Sequence, residues 1–141
     1  MVTTSGLVKH ELGYWYVAQK PSSEELKRYY AEKYYQDPSD NRKPTRTESE
    51  LSFLKTKVVQ KQAMLERVIP NHGTSMLDVG CGQGFALAHF HNQGWTVKGI
   101  DFSEAGIRQQ NPQCLDLFQA GDIYQLLSEE VESGNQYSVV W

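Results

Sequence analysis

The residues best suited to chemistry form a glycine-rich turn and two aspartates that follow it along the chain. Leu77 to Gly84 reads Leu-Asp-Val-Gly-Cys-Gly-Gln-Gly, an apolar run that enters a turn. Glycine has no Cβ and tolerates positive φ, so this turn would let the backbone approach a ligand closely. Asp101 and Asp122 each follow a further apolar stretch. The pattern predicts a ligand-binding site with acidic groups, and a tight turn without a ligand is the alternative.

The two aspartates indicate what kind of ligand this is. Asp101 lies about twenty residues beyond the glycines, where a carboxylate can accept hydrogen bonds from the hydroxyls of a ribose. Asp122 stands in Ala120-Gly121-Asp122-Ile123. Because aspartate is also a common helix N-cap, either residue alone is a weak signal. With Asp78 in the glycine motif, however, three successive acidic ends favour a ligand that contains a ribose.

The elements that must position these residues alternate between strand and helix. Apolar runs predict strands at 75–79, 95–101, 115–119 and 137–141, and amphipathic runs predict helices at 85–93, 103–112 and 124–132. This alternation is typical of a parallel sheet with helices on both faces. The predicted fold class is therefore α/β, a doubly wound, mainly parallel Rossmann-like sheet with N-terminal helices, which binds ligands at the carboxyl ends of its strands.

The front of the chain is rich in aromatic residues and carries the first helix signal. A β-prone run at 13–18 predicts a short strand. Ser22 and Glu25 have the spacing of a capping box, in which each side chain satisfies a backbone donor at the helix start. The helix that follows has one apolar or aromatic face, formed by Leu26, Tyr30 and Tyr34.

A polar stretch, 37–46, separates this helix from a longer one. Its cations Arg42, Lys43 and Arg46 would suit an anionic acceptor, but a solvated loop is the commoner meaning of such charges. A second capping box then opens a long amphipathic helix that ends before Pro70. Its box and its apolar positions are Thr47, Glu50, Leu51, Leu54, Val58, Leu65, Val68 and Ile69. We divide the chain into an N-terminal extension, 1–46, and a ligand-binding domain, 47–141.

Length and composition exclude several classes of protein. The 141 residues suit one domain, and the net charge of -3 gives no reason to bind nucleic acid. No apolar run approaches the roughly 20 residues that cross a bilayer, and no secretory signal is visible, so we expect a cytoplasmic protein. Cys81 and Cys114 lack the spacing of a zinc site, and His89 and His91 do not share a helix face. We predict reduced thiols and no metal site.

The motifs as a group resemble a known family. Leu77 to Gly84, Gly99-Ile100-Asp101-Phe102-Ser103 and Gly121-Asp122-Ile123 resemble the first three motifs of the class I S-adenosylmethionine-dependent methyltransferases. The resemblance extends over about 47–141. It implies an enzyme that transfers a methyl group from the cofactor S-adenosyl-L-methionine to a small-molecule acceptor, such as a sugar or a lipid-linked metabolite.

The resemblance also implies roles for individual residues. The cofactor-binding residues would be Asp78, Gly80, Cys81, Gly82, Gly84, Asp101, Phe102, Asp122 and Ile123. The loop would pass close to the amino-acid and ribose parts of the cofactor, with Asp78 at the methionine amino group and Cys81 as a small spacer. Asp101 would hold the ribose hydroxyls, and Phe102 would pack on the adenine. Asp122 and the backbone of Ile123 would meet the adenine amino edge.

Two other functions compete with this interpretation. A nicotinamide dehydrogenase uses the spacing G-x-G-x-x-G, whereas the glycines here have the spacing G-x-G-x-G and Phe85 follows the third of them. A non-catalytic module that binds S-adenosylmethionine or a partner protein is the stronger alternative. The aromatic first helix also resembles a segment that covers the cofactor in related enzymes, so Tyr30, Tyr34 or Tyr35 could form a lid, although a simple packing face explains them as well.

The fourth predicted strand is the last element of the sequence. The related enzymes build their acceptor sites from later loops, so the chain looks like the N-terminal, cofactor-binding part of a longer enzyme, and no catalytic residue can be assigned. An uncovered strand exposes unpaired N–H and C=O groups. We therefore expect Val139, Val140 and Trp141 to form a homodimer contact or an aggregation-prone edge.

Overall fold

The computed structural model describes residues 6–30 and 46–141, and its first element is a small antiparallel hairpin. Strand β1 (Leu7–Lys9) pairs with β2 (Trp15–Val17). β2 confirms the strand predicted within 13–18. β1 was not predicted, because a strand of three residues shows too little alternation to be recognised.

Two helices follow, and each begins at the capping box that the sequence indicates. Helix α1 (Ser23–Tyr29) starts after Ser22, whose N–H donates to Glu25 Oε2 at 2.8 Å. Helix α2 (Glu48–Val68) starts after Thr47, whose Oγ1 accepts from the N–H of Glu50 at 3.2 Å. Both predicted starts are confirmed. Of the predicted aromatic face of the first helix, Tyr34 lies outside the described residues.

The rest of the chain alternates between parallel strands and helices. The strands are β3 (Ser75–Val79), β4 (Thr96–Asp101), β5 (Phe118–Ala120) and β6 (Val139–Val140), and the helices between them are α3 (Phe85–Asn92), α4 (Ala105–Gln110) and α5 (Ile123–Glu132). The strands lie in the order β5-β4-β3-β6, and all three pairings are parallel. The order reverses between β3 and β6, as at the switch point of a doubly wound sheet.

Helices cover the two faces of this sheet through two apolar clusters. On β3, Met76 and Leu77 point to opposite faces because side chains alternate along a strand. Met76 packs in the larger cluster with Phe90 of α3 and Val58 of α2. Leu77 packs in the smaller one with Leu126 of α5. The predicted α/β, doubly wound, mainly parallel Rossmann-like class is confirmed.

The third strand predicted at 115–119 is wrong in its bounds. A 3-10 helix, Pro112–Leu117, occupies most of that stretch, and the strand begins only at Phe118. The Cys114 N–H donates to the Asn111 carbonyl at 2.9 Å, and the Cys114 side chain is buried. A short apolar run has the same sequence pattern in a buried strand and in a buried helical turn, which explains the error. α4 begins at Ala105, whose N–H donates to Ser103 Oγ at 3.2 Å.

The predicted packing of α2 is correct only for its central part. The helix has 21 residues and is therefore about 32 Å long at 1.5 Å per residue, far longer than the five-residue strand β3. Val58 is buried, whereas Val68 and Ile69 at the end are 71% and 48% exposed. The sheet is too short to cover them. None of the helices in the described ranges is long and apolar enough to cross a membrane.

The buried carboxylate of Glu130 bonds to the segment that precedes β6. Glu130, near the end of α5, forms an ion pair with Lys98 of β4 and accepts hydrogen bonds from Tyr137 Oη at 2.5 Å and Asn135 Nδ2 at 2.9 Å. These hydrogen bonds, led by those from Lys98 and Tyr137, lower the pKa of Glu130 to about 2. The network fixes the turn that brings the chain back to the sheet.

We expect Glu130→Gln to destabilise the protein by about 1–2 kcal/mol at pH 7, since it removes the charge from these hydrogen bonds. Because the pKa of Glu130 is depressed, its contribution is complete above about 4.5 and is lost as the pH falls towards about 2. Urea unfolding at pH 7 and pH 3 measures both effects. The exposed neighbour Glu129→Gln serves as the control, and an equal loss at the two pH values would contradict the assignment.

Candidate functional site

The glycine turn after β3 forms the floor of the candidate site. Gly80, Gly82 and Gly84 all have positive φ, at 76°, 55° and 72°. A Cβ on Gly84 would also lie 3.0 Å from Ile107, whereas a Cβ on Gly80 would project into open space. The Gly80 N–H donates to the Ile100 carbonyl at 2.8 Å, which ties the turn to β4. The loop therefore presents bare backbone to an open region at the carboxyl edge of the sheet.

The carboxylate of Asp101 joins this loop to the end of β4. Asp101 Oδ2 accepts from the Gly82 N–H at 2.8 Å, and Oδ1 accepts from the Ser103 N–H at 3.3 Å. Burial raises the pKa of Asp101, and the backbone hydrogen bonds from Gly82 and Ser103 act in the opposite direction. The structure thus brings the predicted ribose carboxylate directly to the predicted ligand loop.

Asp78 is the second buried carboxylate at this edge. It is 4% exposed, and its carboxylate makes no hydrogen bond to any residue in the described ranges. Burial, and then the neighbouring charge of Asp101, raise the pKa of Asp78 to about 7, while the ammonium of Lys61 opposes the rise. When ionised, Asp78 is a buried anion that a cationic group on a ligand would stabilise.

The ends of β4 and β5 border a separate cleft of about 400 Å³. Phe102 lines it, and its ring is stacked on that of Tyr30, with centroids 5.5 Å apart and planes 6° apart. Asp122 lines it too and caps α5 by accepting from the Tyr124 N–H at 2.9 Å. The hydroxyl of Ser23 donates to the other oxygen of Asp122. The front segment therefore contacts both residues predicted to meet the adenine.

The side chain of Cys81 fills a small space between the loop and β4. A Cβ placed on Gly99 would lie 3.0 Å from Cys81 Sγ, so the absence of a side chain at Gly99 makes room for the thiol. Burial, followed by the charges of Asp78 and Asp101, raises the pKa of Cys81. A neutral thiol is a poor nucleophile, which agrees with a spacer role. Ile123, the first residue of α5, packs beside the smaller apolar cluster.

The sequence did not reveal two side chains that meet behind the loop. Gln83, between two of the glycines, accepts at Oε1 from Arg46 Nη2 at 2.6 Å. Asn111 Nδ2 donates to the Gln83 carbonyl at 2.7 Å and so fixes this residue. No periodicity or motif links Arg46 to Gln83, so only the structure reveals the pair. His89 instead bonds to Gln62 on α2, at 2.6 Å.

The part of the chain that forms this edge is similar to a known protein family. The family model described as a methyltransferase domain matches residues 77–133, which contain the glycine loop, Asp78, Asp101 and Asp122. The matched residues make up about 40% of the chain. The predicted resemblance to the class I methyltransferases is confirmed, and the loop and the two strand ends that follow it lie within the matched methyltransferase segment. A comparison with curated proteins found no match.

Solved structures with some similarity include DesVI from Streptomyces venezuelae, which is 27% identical over 49% of this chain with a TM-score of 0.40. The PH0226 protein from Pyrococcus horikoshii OT3 is 21% identical over 67% of the chain, and WbdD is 22% identical over 67%, each with a TM-score of 0.40. The chain spans 29%, 38% and 22% of their lengths.

Replacing Asp78 by Asn should change how stability depends on pH. The folded chain keeps the Asp78 proton up to about pH 7, whereas the unfolded carboxyl ionises near 3.8, so stability falls as the pH rises between these values. We expect Asp78→Asn to remove this fall and to be more stable than the wild type at pH 8 by about 1–3 kcal/mol. Urea unfolding at pH 5 and pH 8 tests this.

Asp116 provides the control, because Asp116→Asn also replaces one carboxylate by an amide, but at an exposed position rather than a buried one. It should leave the pH dependence of the wild type intact. If Asp78→Asn shows the same fall in stability between the two pH values as the wild type, the raised pKa is wrong.

Proposed function

We propose that this chain is the cofactor-binding part of an S-adenosylmethionine-dependent methyltransferase. The hydrogen bond between the Gly82 N–H and Asp101 carries the proposal, because it joins a ligand-binding turn to a carboxylate suited to ribose hydroxyls. The matched methyltransferase segment, which contains both residues, also supports it.

The described residues fit the two ends of this cofactor. At the methionine end, Gly80 faces open space, and Asp78 supplies a buried acid that lacks a hydrogen-bond partner among the described residues. At the nucleoside end, Asp101 would hold the ribose, and Phe102 with Asp122 and the Ile123 backbone would flank the adenine. Gly82, Gly84 and Cys81 would shape the loop between the two ends.

The cofactor, when bound, supplies a methyl group on a sulfonium, which is already activated for transfer. This chain's residues then contribute position rather than chemical activation. Asp78 would orient the amino group in its ionised form, so binding should strengthen as the pH rises through about 7. The two buried acids also place negative charge near a cationic ligand.

The acceptor is proposed to be a small molecule, such as a sugar or a lipid-linked metabolite. The segment before residue 31 supports this choice, because Tyr30 stacks on Phe102 and Ser23 bonds to Asp122, so aromatic and hydroxyl groups lie beside the cleft. Tyr30 would form part of a lid over the cofactor, as predicted for this segment. The chain is also proposed to act in the cytoplasm.

Calorimetric titration with S-adenosylhomocysteine tests the cofactor proposal. We expect the wild type to bind and Asp101→Asn to lose at least about tenfold in affinity, since the variant replaces a charged acceptor of two ribose hydroxyls. Asp116→Asn removes an exposed acid in the 3-10 helix before β5, and this variant should bind like the wild type. A folded wild type that binds S-adenosylhomocysteine no better than Asp101→Asn would refute the site, and tight binding of NAD instead would favour a dehydrogenase.

We also propose that the outer edge of β6 mediates self-association. Trp141 donates to the Leu77 carbonyl at 2.9 Å and accepts from the Val79 N–H at 3.1 Å, so its backbone groups face β3. Val140 alternates with Trp141 along the strand and is 66% exposed. No described residue pairs with its outer edge.

Val140→Lys should weaken this association, because charge on an exposed edge opposes strand pairing. Analytical ultracentrifugation over a hundredfold range of concentration measures the effect, with Val131→Lys on α5 as a control that adds the same charge at an exposed valine. A wild type that stays monomeric throughout that range would disprove the proposal.

A further inference from the structure

A cavity of about 500 Å³ lies between the middle of α2 and the residue that follows β6. Volumes of this order are typical of small-molecule sites in proteins. Its lining contains none of the residues predicted to bind the cofactor. Most of its wall is apolar and consists of Leu54, Val58, Met64, Phe85 and Trp141. The cavity is therefore a second candidate site, suited to a ligand with an apolar part.

Two lysines, Lys57 and Lys61, give this apolar cavity a positive side. They are one turn apart on α2, so their side chains share a face and their charges repel each other. Lys57 Nζ lies 4.8 Å from the centroid of the Phe53 ring, and Lys61 Nζ lies 5.1 Å from that of Trp141. Neither ammonium group forms an ion pair within the described ranges. An anion between the two lysines would offset their repulsion.

Asp78 responds to the charge of Lys61 but does not neutralise it at mildly acidic pH. The ammonium of Lys61 opposes the rise in the pKa of Asp78. This pKa is nevertheless about 7, so Asp78 is mainly protonated below that pH. Under those conditions the positive charge of Lys61 is available to an external anion.

The chemistry of the cavity restricts the class of ligand that it would take. A carboxylate has two oxygens and can accept a hydrogen bond from each ammonium group. An alkyl chain attached to it would lie along the apolar wall and lose its contact with water. A neutral lipid would leave both lysines unmatched, and a cationic one would be repelled.

An anionic membrane surface matches this region less well than a single small molecule does. The chain has a net charge of -3, and the helix that carries the two lysines also carries Glu48, Glu50 and Glu66. A broad anionic surface would meet these acids together with the lysines, and it would be repelled by them. A single anion that enters the cavity meets only its positive side.

We propose that this cavity binds a single-chain amphipathic anion, with a carboxylate head group between Lys57 and Lys61 and an alkyl chain along the apolar wall. The chain of the ligand would cover Met64, whose side chain is 58% exposed. This inference does not rest on the proposed function, because the cavity shares no lining residue with the predicted cofactor site.

Calorimetric titration of the whole chain with decanoate tests the site, at pH 6 and below the concentration at which decanoate forms micelles. We expect the wild type to bind one decanoate and the double variant Lys57→Gln/Lys61→Gln to bind it at least about tenfold more weakly. Decanol keeps the alkyl chain but lacks the charge. The double variant should therefore change the affinity for decanol by less than about threefold.

Two further variants separate the head group from the chain. Lys55→Gln removes the same charge from an exposed lysine of α2 that does not line the cavity, so it should bind decanoate like the wild type. Met64→Gln makes the apolar wall more polar at an exposed position, where the fold tolerates the change. It should weaken decanoate and decanol alike.

Four results would overturn the inference. They are the absence of decanoate binding by the wild type, an equal loss of affinity in Lys55→Gln and in the double variant, displacement of decanoate by S-adenosylhomocysteine, and cosedimentation with phosphatidylglycerol vesicles without binding of decanoate. The third result would place the anion in the cofactor site, and the fourth would identify a membrane surface instead. If the wild type binds decanoate as expected but not S-adenosylhomocysteine, the proposed function fails and this inference stands.

Discussion

The hydrogen bond from the Gly82 N–H to Asp101 joins two neighbouring strand ends, and the arrangement of the site depends on it. The three glycines of the loop have no side chains, so their position depends on hydrogen bonds from the Gly80 and Gly82 N–H groups to residues of β4. Those bonds require β3 and β4 to be adjacent and parallel, with their carboxyl ends at one edge. The apolar layers on both faces of the sheet meet this requirement, since they fix the pleat and register of the two strands.

The same edge concentrates negative charge that weakens the protein without a ligand. Asp78 and Asp101 are both buried, and the charge of Asp101 contributes to the raised pKa of Asp78. Stored electrostatic cost of this kind is common at functional sites, where a ligand of the opposite charge recovers it. Elsewhere in the fold, the buried carboxylate of Glu130 pairs with Lys98, Tyr137 and Asn135, and these partners lower its pKa. Asp78 therefore differs from Glu130 in having a raised rather than a lowered pKa.

Much of the fold could be predicted from local signals in the sequence. The capping boxes at Ser22 and Thr47 marked two helix starts, and the apolar run at 75–79 marked the central strand. The 3-10 helix at 112–117 could not be distinguished from a strand, because a short apolar run has no period of its own. The burial of α2 was overestimated because a helical pattern does not reveal how far the neighbouring sheet extends.

In the candidate site, too, local features could be predicted from the sequence and long-range contacts could not. Its loop and carboxylates were visible because their spacing along the chain is short and regular, whereas the contact between Arg46 and Gln83 joins residues 37 positions apart. The contact of Ser23 with Asp122 joins residues even farther apart. Such pairs depend on how the front of the chain lies against the sheet, and nothing in the local sequence encodes that.

Gly99 has a consequence for how this sequence can vary. The space above its Cα is occupied by Cys81 Sγ and Leu87 Cδ2, each 3.0 Å from where a Cβ would lie. Positions 81, 87 and 99 therefore share one volume, although they belong to a loop, a helix and a strand. A methyl group gained at position 99 requires a smaller side chain at position 81 or 87. We therefore expect these three positions to covary in related sequences.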